Sequence, residues 1–160
     1  MNSLISKINY ALERLLMLMM LAIVVTVSWQ VFSRFILQSP SSFTEELSRY
    51  LLIWIGILGA AYAYKTKAHL GLDLFVEKLP THIKTYARLL IEVLVIIFAT
   101  CVMIYGGVNL VALTLELKQT SAALGLQMGW VYSVIPLSGV LITLYAVTNL
   151  HSIINDKESK

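Results

Sequence analysis

The sequence predicts an all-α integral membrane protein with four transmembrane helices and a short amphipathic helix on the cytoplasmic surface. Three observations carry this. Of 160 residues, 58% are hydrophobic and 13% charged, whereas a soluble domain carries roughly a quarter charged residues. The mean hydropathy is +0.79. The apolar residues gather into four runs, with basic residues at the ends of those runs. A small soluble protein could not cover this much apolar side chain with so little polar surface, so lipid must solvate much of it.

The first run, Leu15 to Phe32, ends at Arg34, and Gln38-Ser39-Pro40-Ser41-Ser42 then reads as a turn. Lys7 and Arg14 ahead of this run imitate a signal peptide. The run is too long for one and lacks a small-x-small cleavage site before Trp29, so it reads as an uncleaved first span over 13–36. The second run, Tyr50 to Tyr64, is short and borrows a polar first turn from Thr44-Glu45-Glu46-Leu47-Ser48, giving a span over 44–65 with Thr44 as its expected N-cap. The third, Leu89 to Leu115, predicts a span over 86–116, long enough to tilt or to project. The fourth, over 128–151, contains Pro136, which a membrane helix tolerates when neighbours satisfy the freed carbonyl. The whole chain, 1–160, reads as one membrane domain.

Between the second and third spans, Leu72, Phe75, Val76 and Leu79 recur at helical spacing, with Asp73, Glu77 and Lys78 on the other face and Pro80 after them. This predicts an amphipathic helix over 70–79 lying on the membrane surface, with a buried connector as the alternative. Lysine and arginine set the orientation. Nine of them (Lys7, Arg14, Lys65, Lys67, Lys78, Lys84, Arg88, Lys157, Lys160) fall on one side and three (Arg34, Arg49, Lys118) on the other. That split places both termini and the central loop in the cytoplasm. Trp29, Trp54 and Trp130 fall in the outer halves of their spans, near an expected aromatic belt.

Few residues offer chemistry. Glu92 lies one turn past Arg88, and an Arg88–Glu92 pair or a carboxylate reaching the interface accounts for it. His69, His82 and His151 lie in the central loop or near the tail, where they cannot bind a haem within the spans. Cys101, the one cysteine, stands inside an apolar run with no metal-ligand spacing around it. No carboxylate lies between Leu15 and Phe32, where a small multidrug exporter would need one. The pI near 9.0 would imply nucleic acid only if the basic residues formed a patch, and they do not. No catalytic cluster, cofactor or nucleic-acid partner is expected.

Two features remain. Glu45 and Arg49 form an (i, i+4) pair in the favourable order, leaving Glu46 and Arg34 for each other or for a partner. A self-satisfied network and a partner-binding one both fit these four residues. Gly56, Gly59, Ala60, Ala61 and Ala63 make a small-residue stretch along the second span that permits close approach of another helix. With four helices in the chain, this implies packing against a larger membrane body.

The run from Phe43 through Thr44-Glu45-Glu46-Leu47-Ser48-Arg49 to Trp54, Gly56 and Gly59-Ala60-Ala61-Tyr62-Ala63 resembles the signature of a family. The likeness continues through Lys67-Ala68-His69-Leu70-Gly71-Leu72-Asp73 and Tyr132-Ser133-Val134-Ile135-Pro136-Leu137, with Arg34-Phe35 ahead of them. The family is the small, DctQ-like membrane subunit of TRAP (tripartite ATP-independent periplasmic) transporters. Phe43 stands where the family often has tryptophan, which keeps an aromatic anchor. The resemblance implies a bacterial inner-membrane subunit with two protein partners. One is a large membrane subunit that moves sodium and substrate by an elevator motion. The other is a periplasmic substrate-binding protein that docks on the membrane pair. It further implies inter-subunit or docking roles for Arg34, Glu45, Glu46, Arg49, Trp54, Gly56, Gly59, His69, Asp73, Phe75 and Pro136. The overall likeness is greatest to members serving sialic acid, while four-carbon dicarboxylates and other organic acids fit the residues equally. The alternative is a non-transport anchor or assembly subunit of a redox or signalling complex.

The charge split yields a labelling test. Cysteines introduced at Ser41 and Gln119 are expected to react with a membrane-impermeant thiol reagent added from the periplasm, and cysteines at Lys67 and Ser159 are not. The reverse pattern would invert the orientation.

Overall fold

The computed structural model describes residues 2–66 and 81–158. The predicted surface helix over 70–79, with His69, Asp73 and Phe75, lies outside the described residues. Among the described residues the chain is helical apart from turns and one isolated bridge, Thr120 to Gln127. Four helical stretches are long and apolar enough to cross a membrane: Ile5–Phe35, Ser42–Lys65, Ile83–Glu116 and Met128–Ile153.

Helix α1 covers Asn2–Phe35 and starts well before the apolar run. Ile8, Leu12, Leu16 and Met19 recur at helical spacing, and Leu12 and Met19 are buried. The chain then reverses through Gln38, whose φ of 50° is left-handed. The Ser39 N–H donates to Ser33 O at 3.1 Å. Helix α2 covers Ser42–Lys65. Its N-cap is Ser41 rather than the expected Thr44: Ser41 Oγ accepts from the Thr44 N–H at 3.5 Å, and Thr44 Oγ1 donates back to Ser41 O. The capping hydroxyl therefore lies one turn earlier, which brings Phe43 and Thr44 inside the helix and moves both glutamates from its first two positions to the fourth and fifth.

The third crossing has three parts in one rod: α3 (Thr81–Phe98), a π-helical segment (Ala99–Gly106) and α4 (Gly107–Glu116). The fourth has two: α5 (Met128–Tyr132) and α6 (Val134–Glu158), interrupted at Ser133. The interruption follows from Pro136, which has no N–H to donate to Tyr132 O. Bonds from the Ser133 N–H to Gly129 O at 3.0 Å and from the Leu137 N–H to Ser133 O at 3.3 Å carry the crossing past it.

The four crossings form an open array and not a closed bundle. α1 packs on α2, α2 packs on α5 and α6, and the third crossing packs on the fourth. Leu12, Met19, Leu58 and Val134 make the buried cluster where the first, second and fourth crossings meet, flanked by Leu51, Trp54 and Leu141. Between helices in lipid there is no hydrophobic drive, so contact depends on close packing and on hydrogen bonds. The tightest contacts use glycine. A Cβ on Gly139 would stand 2.8 Å from Met103 Cβ and 3.2 Å from Ala99 O, both in the π segment. One on Gly107 would stand 2.9 Å from Pro136 Cδ, and one on Gly129 2.5 Å from Leu115 Cγ. By contrast, nothing lies within 4 Å of the corresponding position at Gly56 or Gly59.

Overpacking a close contact costs about 1–3 kcal/mol. Gly139→Leu is therefore expected to lower the thermal unfolding midpoint of the purified subunit in detergent, with Gly59→Leu matching the parent. Equal tolerance would show that the third and fourth crossings do not meet at Gly139.

Candidate functional site

The first turns of α2 present three charged residues, and the structure separates their roles. Glu45 and Arg49 pair as expected, with Oε1 and Nη2 3.1 Å apart and both side chains well exposed. An exposed (i, i+4) pair of this kind contributes about 0.3–0.5 kcal/mol. Glu46 lies on another face. Its Oε1 accepts from the Ala122 N–H at 3.2 Å and the Tyr50 hydroxyl at 2.8 Å. Its Oε2 accepts from the Ala123 and Leu124 N–H groups, each at 2.8 Å. Three successive backbone amides thus cradle one carboxylate, the arrangement by which turns bind anions. Glu46 is not left for Arg34. Arg34 stands exposed at the end of α1, with no hydrogen bond or ion pair among the described residues.

The loop that supplies those amides, 117–127, is folded around the carboxylate. Lys118 and Gly125 adopt left-handed φ of 48° and 64°. The Ser121 N–H donates to Leu126 O at 2.8 Å, the Gly125 N–H to Ser121 O at 3.2 Å, and the Met128 N–H to Gln119 O at 2.8 Å. Ser121 Oγ accepts from the Leu126 N–H at 3.2 Å. The loop forms a compact reversal that returns the chain to the fourth crossing beside α2. Leu117, Leu126 and Trp130 remain exposed around it.

Further along α2, polar groups reach across to the fourth crossing. Tyr50 Oη lies 3.3 Å from Met128 Sδ, and Trp54 Nε1 donates to Val131 O at 3.1 Å. Trp54 is therefore turned inward, unlike the exposed Trp29 and Trp130, and does not serve the aromatic belt expected of all three. Ser138, fully buried, donates to Ile57 O at 3.0 Å. Near the other end, Tyr64 donates to Glu92 Oε2 and Asn149 Nδ2 donates to Glu92 Oε1 at 3.2 Å. The expected Arg88–Glu92 ion pair does not form among the described residues. Tyr145 donates to Asn9 Oδ1 at 2.6 Å, linking the fourth crossing to the first.

Of the residues singled out in the sequence, Glu46 meets Tyr50 and the 117–127 loop, which were not, and Trp54 joins the α2–fourth-helix seam. Pro136 packs beside Gly107. Leu52, Gly56 and Ala60 line one exposed side of α2, with Gly59 half-buried beside them. Sequence reasoning missed the amide cradle, the Asn9–Tyr145 bond and the glycines that close the helix contacts. Gly125 within Ser-Ala-Ala-Leu-Gly is a turn signal, but nothing local shows that its anion comes from Glu46. Among the described residues no three His, Cys, Asp or Glu side chains stand close enough to hold a metal.

The cradle defines a test. Glu46→Ala is expected to raise the hydrogen-exchange rates of the Ala122, Ala123 and Leu124 amides about tenfold or more, because those donors lose their acceptor. Glu45→Ala leaves them unchanged. Unaltered exchange in Glu46→Ala would mean that the loop holds itself.

The chain has close relatives of known type. A Haemophilus influenzae protein provisionally designated a TRAP transporter small permease protein is 31% identical over 154 residues, covering 96% of this chain and 94% of its own. The sialic acid TRAP transporter small permease protein SiaQ of Vibrio cholerae is 26% identical over 140 residues, covering 84% and 76%. The isethionate TRAP transporter permease protein DctMQ of Oleidesulfovibrio alaskensis is 27% identical over 137 residues, which is 82% of this chain but 21% of that one. In that relative the region equivalent to this chain is a minor part of a much longer permease polypeptide. Residues 23–155 match the family described as tripartite ATP-independent periplasmic transporters, DctQ component. With that match over most of its length, the chain belongs to this family, as the small, non-enzymatic, multi-pass membrane subunit of a TRAP transporter that works with a large membrane subunit.

Proposed function

We propose that this subunit is a static brace for the large subunit: it widens the scaffold against which a sodium-coupled elevator domain moves, and presents a docking surface to a periplasmic binding protein. The observation that carries this reading is the fate of the carboxylates at the start of α2 and within the third crossing. Glu45, Glu46 and Glu92 are each engaged by groups of this chain. That leaves the coupling ion and the substrate to the large subunit. The open array supports the same reading, because a single layer of helices offers broad faces for its mass. The family match removes the support for a non-transport anchor.

The exposed side of α2 with Leu52, Gly56 and Ala60 is our proposed contact with the large subunit. Its glycines have free space beside them and so admit a close helix. Arg34 and the Glu46-ordered loop, with exposed Leu126 and Trp130 nearby, are the proposed docking end. In this reading Glu46 shapes the surface and Arg34 offers the free charge, with both termini in the cytoplasm as the basic residues imply. The transported solute is an organic acid. The relatives named for sialic acid and for isethionate are 26% and 27% identical to this chain, a near tie that fits a substrate choice made by the other subunits. Sialic acid and four-carbon dicarboxylates are the first candidates to assay.

Gly56→Leu tests the interface without disturbing the subunit's own packing. A cost of about 1–3 kcal/mol at a close helix contact corresponds to roughly 5- to 150-fold weaker association. Co-purification of the large subunit is expected to fall accordingly, while the yield of the small subunit alone holds. Undiminished co-purification would move the contact to another face.

A further inference from the structure

An open recess of about 500 Å³ lies where the start of α1 meets the end of α2, lined by Ile5, Ser6, Asn9, Tyr10, Glu13 and Lys65. Among the described residues its polar groups are incompletely used. Asn9 is only 9% exposed, and its Oδ1 accepts from Tyr145, yet its amide Nδ2 has no hydrogen-bond partner among the described residues. No buried side-chain nitrogen or oxygen among the described residues lacks a partner, so this amide is reached from the recess and is free to donate to a group seated there. Glu13 and Lys65 share the same recess without forming an ion pair. Lys65 Nζ stands 6.0 Å over the Tyr62 ring, and the Arg14 guanidinium 5.0 Å over the Tyr10 ring. The apolar part of the first span begins directly beyond, at Leu15. Lysine, arginine and tyrosine at such a boundary mark the headgroup level of a bilayer.

We propose that this recess binds the phosphoethanolamine headgroup of a membrane phospholipid, with Lys65 Nζ and Asn9 Nδ2 donating to the phosphate and Glu13 accepting from the ammonium. The charge pattern selects among lipids. A net-anionic headgroup such as phosphatidylglycerol satisfies the lysine and meets the carboxylate of Glu13 with nothing to donate but hydroxyls. A choline headgroup carries a cation without N–H groups and so makes no hydrogen bond to Glu13. Phosphoethanolamine matches both charges and supplies three donors. Acyl chains attached to a headgroup seated here would run along the same face of α1, where Met17, Met20 and Val24 continue from Glu13 at helical spacing and are exposed.

Native mass spectrometry of the purified, delipidated complex with the large subunit tests this. Phosphatidylethanolamine, phosphatidylglycerol and phosphatidylcholine with identical acyl chains are added in turn. The intact complex is expected to retain one additional phosphatidylethanolamine at this site with at least about tenfold preference over the other two, the scale of one charge-assisted hydrogen bond. Glu13→Gln is expected to abolish the preference over phosphatidylcholine, and Lys65→Gln to weaken retention of all three. Both side chains lie at the surface, and unchanged co-purification of the large subunit verifies that the variants are assembled. Equal retention of the three lipids, insensitivity to both substitutions, or absence of a retained lipid would overturn the proposal. So would competition by soluble glycerophosphoethanolamine on equal terms with the lipid, which would make the ligand a free headgroup. The readout is lipid and not uptake, so the brace reading stands or falls separately.

Discussion

Hydrocarbon accepts and donates no hydrogen bonds, and many of the polar side chains along these four crossings are disposed to meet that constraint. Two solutions are used. Thr26, Thr114, Thr143 and Thr148 turn their hydroxyls back to a carbonyl four residues earlier on the same helix, which satisfies them but joins nothing. Trp54, Tyr64, Ser138, Tyr145 and Asn149 reach instead to another helix. Each of these five bonds involves the second or the fourth crossing. They make that pair a seam to which the first and third crossings are attached from the sides.

The same constraint explains how much was legible in the sequence. Four spans could be read because lipid demands long apolar runs whatever the tertiary contacts. The Glu45–Arg49 pair could be read because its spacing is local to one helix. Glu46 could not be assigned, since its amide donors come from Ala122 to Leu124 and backbone N–H groups leave no mark in residue identity. Trp54 was misread as a belt residue because its position along the span looks the same whether it faces lipid or a neighbouring carbonyl. Glycine was ambiguous for a similar reason. The run at Gly56 and Gly59 draws attention by its density, yet the glycines used within the chain are the scattered Gly107, Gly129 and Gly139. Close approach needs one small residue at the crossing point and no pattern around it.

A closed four-helix bundle buries an inner face of every helix, and this array does not. Leu58, Ala61, Val134 and Ala146 are buried near the seam, while α1 and the third crossing expose large apolar side chains over most of their length, from Leu18 and Val25 to Phe98 and Tyr105. Such a layer has little internal packing for its size and much surface. That balance suits a subunit of a larger membrane assembly better than a free-standing protein.

The arrangement of neighbours also bears on how the chain is made. The first and second crossings are adjacent in sequence and in space, so they are able to pair as soon as both have left the ribosome. The third has no such option: among the described helices it packs on the fourth, which is synthesised after it. Until α6 enters the bilayer, the carboxylate of Glu92 lacks the Asn149 amide, the amides of 122–124 have not been drawn up to Glu46 by a returning chain, and the π segment faces lipid where Gly139 will later sit. The fourth crossing is thus the one that completes the contacts of the other three. A chain cut short before it would present quality-control proteases with a paired hairpin and a solitary third helix bearing an incompletely satisfied acid.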